Sequence, residues 1–140
     1  MMPKYMLDTN ICIYLMKHHP PEVAARFAQC YFGEVVISAI SLAELEYGVI
    51  CSGANAAKNR MALDGLLEDL VVAPFGPDAA REYGPIRFAN RERSRDALDK
   101  LIASHALALG VILVTNNLAD FARYPELVLE NWADGLLPSP

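Results

Sequence analysis

Short apolar runs suited to strands alternate along this chain with longer stretches in which apolar residues recur at helical spacing. That alternation admits few folds, because strands joined through helices form right-handed β-α-β crossovers and so a mainly parallel sheet. Lys4-Tyr5-Met6-Leu7 reads as a first strand and a helix follows to about Lys17. Pro20-Pro21-Glu22 opens a second helix, since proline fits a helix's first turn. Glu34-Val35-Val36-Ile37-Ser38 is apolar on both faces, as a buried parallel strand should be. Ser41-Leu42-Ala43-Glu44 has the capping-box pattern and is expected to open the next helix, which Gly53 ends. A helix over 56–69, a strand at Leu70-Val71-Val72-Ala73 and a helix over 78–93 follow, the last expected to kink or break at Gly84-Pro85. A strongly helical stretch over 97–109 stops at Gly110. Val111-Ile112-Leu113-Val114, a short helix from Asn117 to Ala122 and an edge strand at Leu127-Val128-Leu129-Glu130 complete the pattern. The predicted class is α/β: a three-layer sandwich with a central, mainly parallel β-sheet of four to five strands flanked by helices. One domain over residues 1–140 is expected, with about 133–140 as a C-terminal tail.

The charge balance bounds the function. Twelve basic against 17 acidic residues leave a net charge of −5. This argues against a bulk electrostatic grip on nucleic acid and leaves open a local basic rim beside an acidic site. The three cysteines, Cys12, Cys30 and Cys51, form no C-x-x-C pair, which argues against a disulfide framework or a structural zinc site. Buried, reduced thiols are the expected state. Neither a leader nor a membrane-length apolar run is visible, so a soluble, cytoplasmic protein is expected.

The acids fall at particular points of the alternation. Asp8 ends the first strand, Glu44 lies one turn after the second, and Asp96 and Asp99 begin the helix that feeds the fourth. Asn116, Asn117 and Asp120 follow that fourth strand. In open α/β sheets the crevice beyond the strands' carboxyl ends is the ligand site. Several ionised carboxylates gathered there repel one another unless a cation lies between them, and an all-oxygen set suits Mg²⁺ or Mn²⁺. Each residue also has a structural alternative. Asp8 and Asp96 are natural N-caps, Glu44 can be the return arm of the Ser41 capping box, and Asn117 or Asp120 can cap the short helix. Asp99, just ahead of the apolar face Leu101, Ile102, His105 and Leu109, is the hardest to explain that way.

Four ordered segments carry a resemblance. Met6-Leu7-Asp8-Thr9-Asn10, Ser41-Leu42-Ala43-Glu44-Leu45-Glu46-Tyr47-Gly48, Leu98-Asp99-Lys100-Leu101-Ile102-Ala103-Ser104-His105-Ala106 and Leu113-Val114-Thr115-Asn116-Asn117-Leu118-Ala119-Asp120-Phe121 resemble the PIN-domain ribonucleases, and among them the VapC toxins of bacterial toxin–antitoxin modules. The closing Glu130-Asn131-Trp132 is also typical of that group.

The resemblance implies that Asp8, Glu44 and Asp99 are acidic ligands around Mg²⁺ (or Mn²⁺), and that the chemistry is phosphodiester hydrolysis with water as nucleophile. Asn117 stands where many members have aspartate, and is expected to orient water instead; Asp120 is expected to contribute through water. Thr9, Asn10, Ser41, Asp96 and Thr115 are expected to position the ligands or water, a capping or turn role remaining equally open for Asn10 and Ser41. The same resemblance implies an RNA substrate, often a tRNA, a cognate VapB-type antitoxin, a homodimer, and contact with DNA only through the antitoxin. An inactive PIN-like module that binds RNA or protein without cutting is the alternative.

Arg87, Arg91, Arg93 and Arg95 crowd the approach to Asp96 and Asp99 and read either as a solvated helix end or as an RNA-binding rim. His18 and His19 are adjacent and cannot share a helix face as ligands, and His105 is read as a core histidine. A receiver domain is excluded because the third strand runs into Ala73-Pro74-Phe75, with no aspartate to phosphorylate. A haloacid-dehalogenase-type phosphatase is excluded because Asn10 stands where its second aspartate belongs.

Overall fold

The strands predicted from apolar runs assemble as five parallel strands: β1 (Tyr5–Leu7), β2 (Val35–Ser38), β3 (Val71–Ala73), β4 (Ile112–Val114) and β5 (Leu129–Glu130), in spatial order β3-β2-β1-β4-β5. The structure is a computed structural model and describes residues 2–133, so the expected tail lies, except for Ala133, outside the described residues. Seven helices connect the strands: α1 (Thr9–Lys17), α2 (Pro21–Ala28), α3 (Ala39–Cys51), α4 (Ala56–Glu68), α5 (Pro77–Ala89), α6 (Ala97–Leu109) and α7 (Leu118–Phe121). A 3₁₀ turn at Gly53–Asn55 links α3 to α4.

The two-faced burial of the sheet follows from strand alternation. Tyr5, Leu7, Val35, Ile37 and Val114 point to one side, where they meet Ile11, Leu45, Leu63 and Trp132. Met6, Val36, Ala73 and Leu113 point to the other and meet Ile86, Ile102, Phe121 and Tyr124. Three layers result, with α1–α4 on one face and α5–α7 on the other. The last described residues are tied to the first strand, as the Trp132 ring meets that of Tyr5 edge-on at 5.3 Å and its indole N–H donates to Glu130 Oε1 at 2.8 Å.

Several expectations are corrected in detail. Ser41 does not open α3. That helix starts at Ala39, directly from the strand, with Ser38 Oγ accepting from the Ile40 amide at 3.0 Å. Ser38 has the extended backbone an N-cap requires, whereas Ser41 already lies inside the first turn. Glu44 is therefore freed from any capping-box duty. Pro85 does not break α5, which is continuous to Ala89. Pro85 lies on the exposed side, where water can serve the one carbonyl left without an amide. The helix instead ends at Ala89, four residues earlier than expected, and Nδ2 of the capping Asn90 donates to the Ile86 carbonyl at 3.1 Å. Gly110 (φ 68°) and Gly53 (φ 57°) take the left-handed conformation expected where helices stop. Only Cys12 is a fully buried thiol; Cys30 is half-buried and Cys51 exposed.

Candidate active site

The strand order reverses at β1: the chain builds β1, β2 and β3 outward on one side, then returns to place β4 against the other edge of β1. In such a sheet the crevice opens beyond the carboxyl ends of β1 and β4. Asp8 leaves β1 there and Thr115 leaves β4 there.

Asp8 is 5% exposed, and its Oδ1 accepts from the Ile11 amide at 2.9 Å, so it caps α1 as well as facing the crevice. Burial pushes its carboxyl up, with Glu44 adding to the rise, against hydrogen bonds from the Thr115 hydroxyl and the Ile11 and Asn10 backbone. Thr9, the first residue of α1, donates from Oγ1 to Glu44 Oε1 at 2.8 Å and draws α3 towards α1. Glu44 is thus tied to the residue next to Asp8.

Asp99 occupies the first turn of α6. Among the described residues its carboxylate accepts no hydrogen bond and joins no ion pair. Partial burial, then the charges of Asp8, Glu44, Asp96 and Asp120, push it up to about 6. Four acids from four parts of the chain thus bear on this one carboxylate.

Asp96 has the opposite surroundings. It precedes α6 in the N-cap position, yet its side chain makes no cap bond, correcting that expectation. Instead Oδ2 accepts from the Tyr124 hydroxyl at 2.6 Å and Oδ1 faces Lys100 Nζ at 2.9 Å. Burial alone would raise this carboxyl, but Tyr124, Lys100 and Arg93 together hold it below the usual carboxylate range. Asn117 and Asp120 do not cap α7 either; they bond to each other, Asn117 Nδ2 donating to Asp120 Oδ2 at 2.7 Å. The Asn117 amide donates to Thr115 Oγ1 at 2.9 Å, so the β4–α7 turn is built on its own side chains.

Arg93 reaches into the same crevice. Its Nη2 lies 3.4 Å from Asp120 Oδ1 and its Nη1 3.6 Å from Asp96 Oδ2. A cavity of about 400 Å³ is lined by Arg93, Ser94, Arg95, Asp96, Asp99 and Asp120. Arg87 and Arg91 stand exposed at the end of α5, over the rings of Tyr83 (5.9 Å) and Phe88 (4.4 Å). The side chain of Asn10 is exposed and makes no hydrogen bond among the described residues, while Ser41 Oγ is buried and without a partner. His105 is buried as expected, Nδ1 2.8 Å from Ser38 Oγ, and burial pushes it down.

Two residues at the site were not anticipated: Lys100 and Tyr124, which grip Asp96. The spacing of Asp96 and Lys100, one helical turn apart, was a readable signal; nothing local pointed to Tyr124.

Residues 5–127 match the PIN domain family. The chain belongs to the PIN-domain family. Within it the curated relatives are VapC proteins. It is 40% identical to Ribonuclease VapC2 of Rickettsia felis over 131 residues, 91% of this chain and 97% of the relative. It is 37% identical to the tRNA(fMet)-specific endonuclease VapC of Shigella flexneri over 134 residues, 94% of this chain and 100% of that one. Among solved structures, DNA-bound VapBC from Salmonella typhimurium superimposes with a TM-score of 0.85 at 37% identity, covering 94% of this chain and 99% of that chain. VapBC2 from Rickettsia felis bound to a DNA fragment from its promoter gives a TM-score of 0.82 at 39% identity, covering 91% and 98%. The PIN fold expected from the sequence is therefore the fold of this chain.

Whether these acids suit a divalent ion is a question of their chemistry. Among the described residues no three His, Cys, Asp or Glu side chains meet at metal-ligand spacing. Asp8, Glu44, Asp96 and Asp120 are each turned onto a local partner, namely Ile11, Thr9, Tyr124 with Lys100, and Asn117. What remains is one unpaired carboxylate, Asp99, within range of four others. An all-oxygen set of one or two direct carboxylates, with the remainder acting through water, fits Mg²⁺, which sheds its hydration shell reluctantly.

Proposed function

We propose that this PIN-domain chain is a divalent-metal-dependent endoribonuclease, the toxin of a VapBC-type module that acts on a restricted RNA such as a tRNA. The observation that carries this reading is Asp99: a half-buried carboxylate with no partner among the described residues, raised by burial and then by the charges of Asp8, Glu44, Asp96 and Asp120. Uncompensated repulsion of this kind costs stability, and a bound cation would relieve it. The relatives named ribonuclease and tRNA(fMet)-specific endonuclease support the RNA substrate, and the VapBC complexes support a VapB-type antitoxin partner.

Asp8 and Asp99 would hold Mg²⁺ or Mn²⁺, with Glu44 and Asp120 acting through water. The chemistry such an ion supplies is polarisation of the phosphate and activation of water. The chain's own residues do the rest. Thr115 and the Ile11 amide keep Asp8 fixed, Thr9 holds Glu44 beside it, and Asn117 orients Asp120. Arg93, already paired with Asp120 and Asp96, lines the crevice and would turn to an incoming phosphate. The toxin is proposed to act in the cytoplasm as a homodimer; among the described residues no helix is long and apolar enough to cross a membrane.

The deciding experiment is cleavage of total tRNA with and without Mg²⁺ by the chain and by its Asp8→Asn and Asp99→Asn variants. Cleavage that needs the ion and is lost in both variants is expected. Binding without cleavage would favour the rival reading of a non-cutting PIN-like module.

A further inference from the structure

Beside the acidic crevice lies a second cavity of about 340 Å³, lined by Tyr83, Arg87, Arg91, Arg93, Ser94 and Lys100, with Ala97 at its edge. The two cavities share Arg93 and Ser94 and are otherwise opposite in character. The first has three carboxylates in its walls. The second has three guanidiniums and no acid.

Three features mark it as a built cavity. Its floor is Lys100, which is buried and donates to the carbonyls of Arg93 at 2.7 Å and Asn90 at 3.0 Å, besides pairing with Asp96. Two of its ammonium protons thus go to loop carbonyls, and the loop over 90–96 that carries Arg91, Arg93 and Arg95 is pinned from below. The walls are held too: Arg91 lies over the Phe88 ring and donates to the Phe88 carbonyl at 2.8 Å, and Arg87 stands against Tyr83. Finally, among the described residues neither Arg87 nor Arg91 has a carboxylate partner, in a chain whose net charge is −5. Unpaired guanidiniums grouped in a concave site are suited to phosphate oxygens, which they bind through paired N–H donors.

We infer that this arginine cavity is a subsite for the RNA phosphate adjacent, along the strand, to the one at the carboxylate crevice, with Arg93 between the two. The inference rests on the ribonuclease reading. It assigns the α5 end as the side from which the strand enters or leaves, and it makes Lys100 a positioning residue that keeps the loop in place.

The test uses the metal-free protein and a short labelled single-stranded RNA, with affinity followed by fluorescence anisotropy over a series of salt concentrations. The protein carrying Arg87→Gln and Arg91→Gln together is compared with wild type. Arg81→Gln serves as the control for bulk charge, because Arg81 lies on the same helix, paired with Asp78 away from the cavity. One phosphate contact in single-stranded nucleic acid contributes about 0.7 to the slope of log affinity against log salt. The double variant is expected to show a slope shallower by about 0.7, and Arg81→Gln the wild-type slope. An unchanged slope in the double variant, an equal change in Arg81→Gln, or no RNA binding by wild type would overturn the subsite. Mg²⁺-dependent cleavage is assayed in parallel. Cleavage with an unchanged slope removes the subsite alone, whereas a changed slope without cleavage supports the subsite and removes the ribonuclease reading.

Discussion

Asp96 and Asp99 begin the same helix, three residues apart, and have opposite surroundings. Asp96 is buried, accepts from the Tyr124 hydroxyl, faces Lys100 and Arg93, and is held below the usual carboxylate range. Asp99 is half-exposed, has no partner among the described residues, and is pushed up to about 6. One charge is paired with cations and bonded to a hydroxyl; the other has no partner among the described residues. The contrast separates structural from chemical duty more clearly than the residue types do.

The largest expected effect comes from Asp99→Asn. Loss of Mg²⁺-dependent cleavage by at least about a hundredfold is expected, on the scale of removing one preorganised electrostatic group. Thermal unfolding of this variant without metal should occur at the same temperature as wild type or higher, since a repelled charge has been removed. A lower melting temperature would make Asp99 a structural residue and break the contrast.

Asp96→Asn should do the reverse. It leaves Lys100 buried beside a neutral side chain, and breaking a buried pair in this way costs about 3–5 kcal/mol. Urea unfolding measures it, and a loss below about 1 kcal/mol would place Asp96 among surface pairs.

The pH dependence sharpens the comparison further. Because Asp99 has a folded pKa of about 6, above its ordinary value of 3.8, the native protein holds a proton there that the unfolded chain has released. Metal-free stability should therefore fall as pH rises from about 4 to 6, and Asp8, also raised, contributes with the same sign. Asp96, lowered, acts in the opposite sense and only below about its ordinary value of 3.8, as its carboxyl protonates. Urea midpoints at pH 4.5 and 7 should thus separate the Asp99→Asn protein from wild type chiefly at the higher pH. Added Mg²⁺ should raise the wild-type midpoint at pH 7 and have little effect at pH 4.5. Equal separation at both values would contradict the assignment.

The smallest effect concerns Glu44, which has a single hydrogen bond. Thr9→Val removes it and is expected to cost about 1 kcal/mol in urea unfolding. A cost above about 2 kcal/mol would mean that Thr9 supports more than Glu44.

The position of Asp8 was legible because a strand end is legible, and those of Glu44 and Asp99 because each lies in the first turns of a helix. An apolar run that stops at an acid, in a chain that alternates strand and helix, places that acid at the mouth of a parallel sheet. Helix starts were less legible. The Ser41-to-Glu44 pattern imitated a capping box, but the helix begins at Ala39, because Ser38 leaves the strand already in capping geometry. Gly84-Pro85 was read as a kink or a break, and the helix runs on through it, since a packed helix absorbs one missing bond.

Alternation of period, the polarity of strand ends and the scarcity of positive charge are local properties, so the residue order alone was enough to define a parallel α/β sheet with an acidic mouth. Which acid would be neutralised and which left bare depended on contacts across 28 residues, as between Tyr124 and Asp96, or 27, as between Arg93 and Asp120. A charge's energy depends on the distance and burial of its neighbours, and these take definite values only once separate helices have packed together.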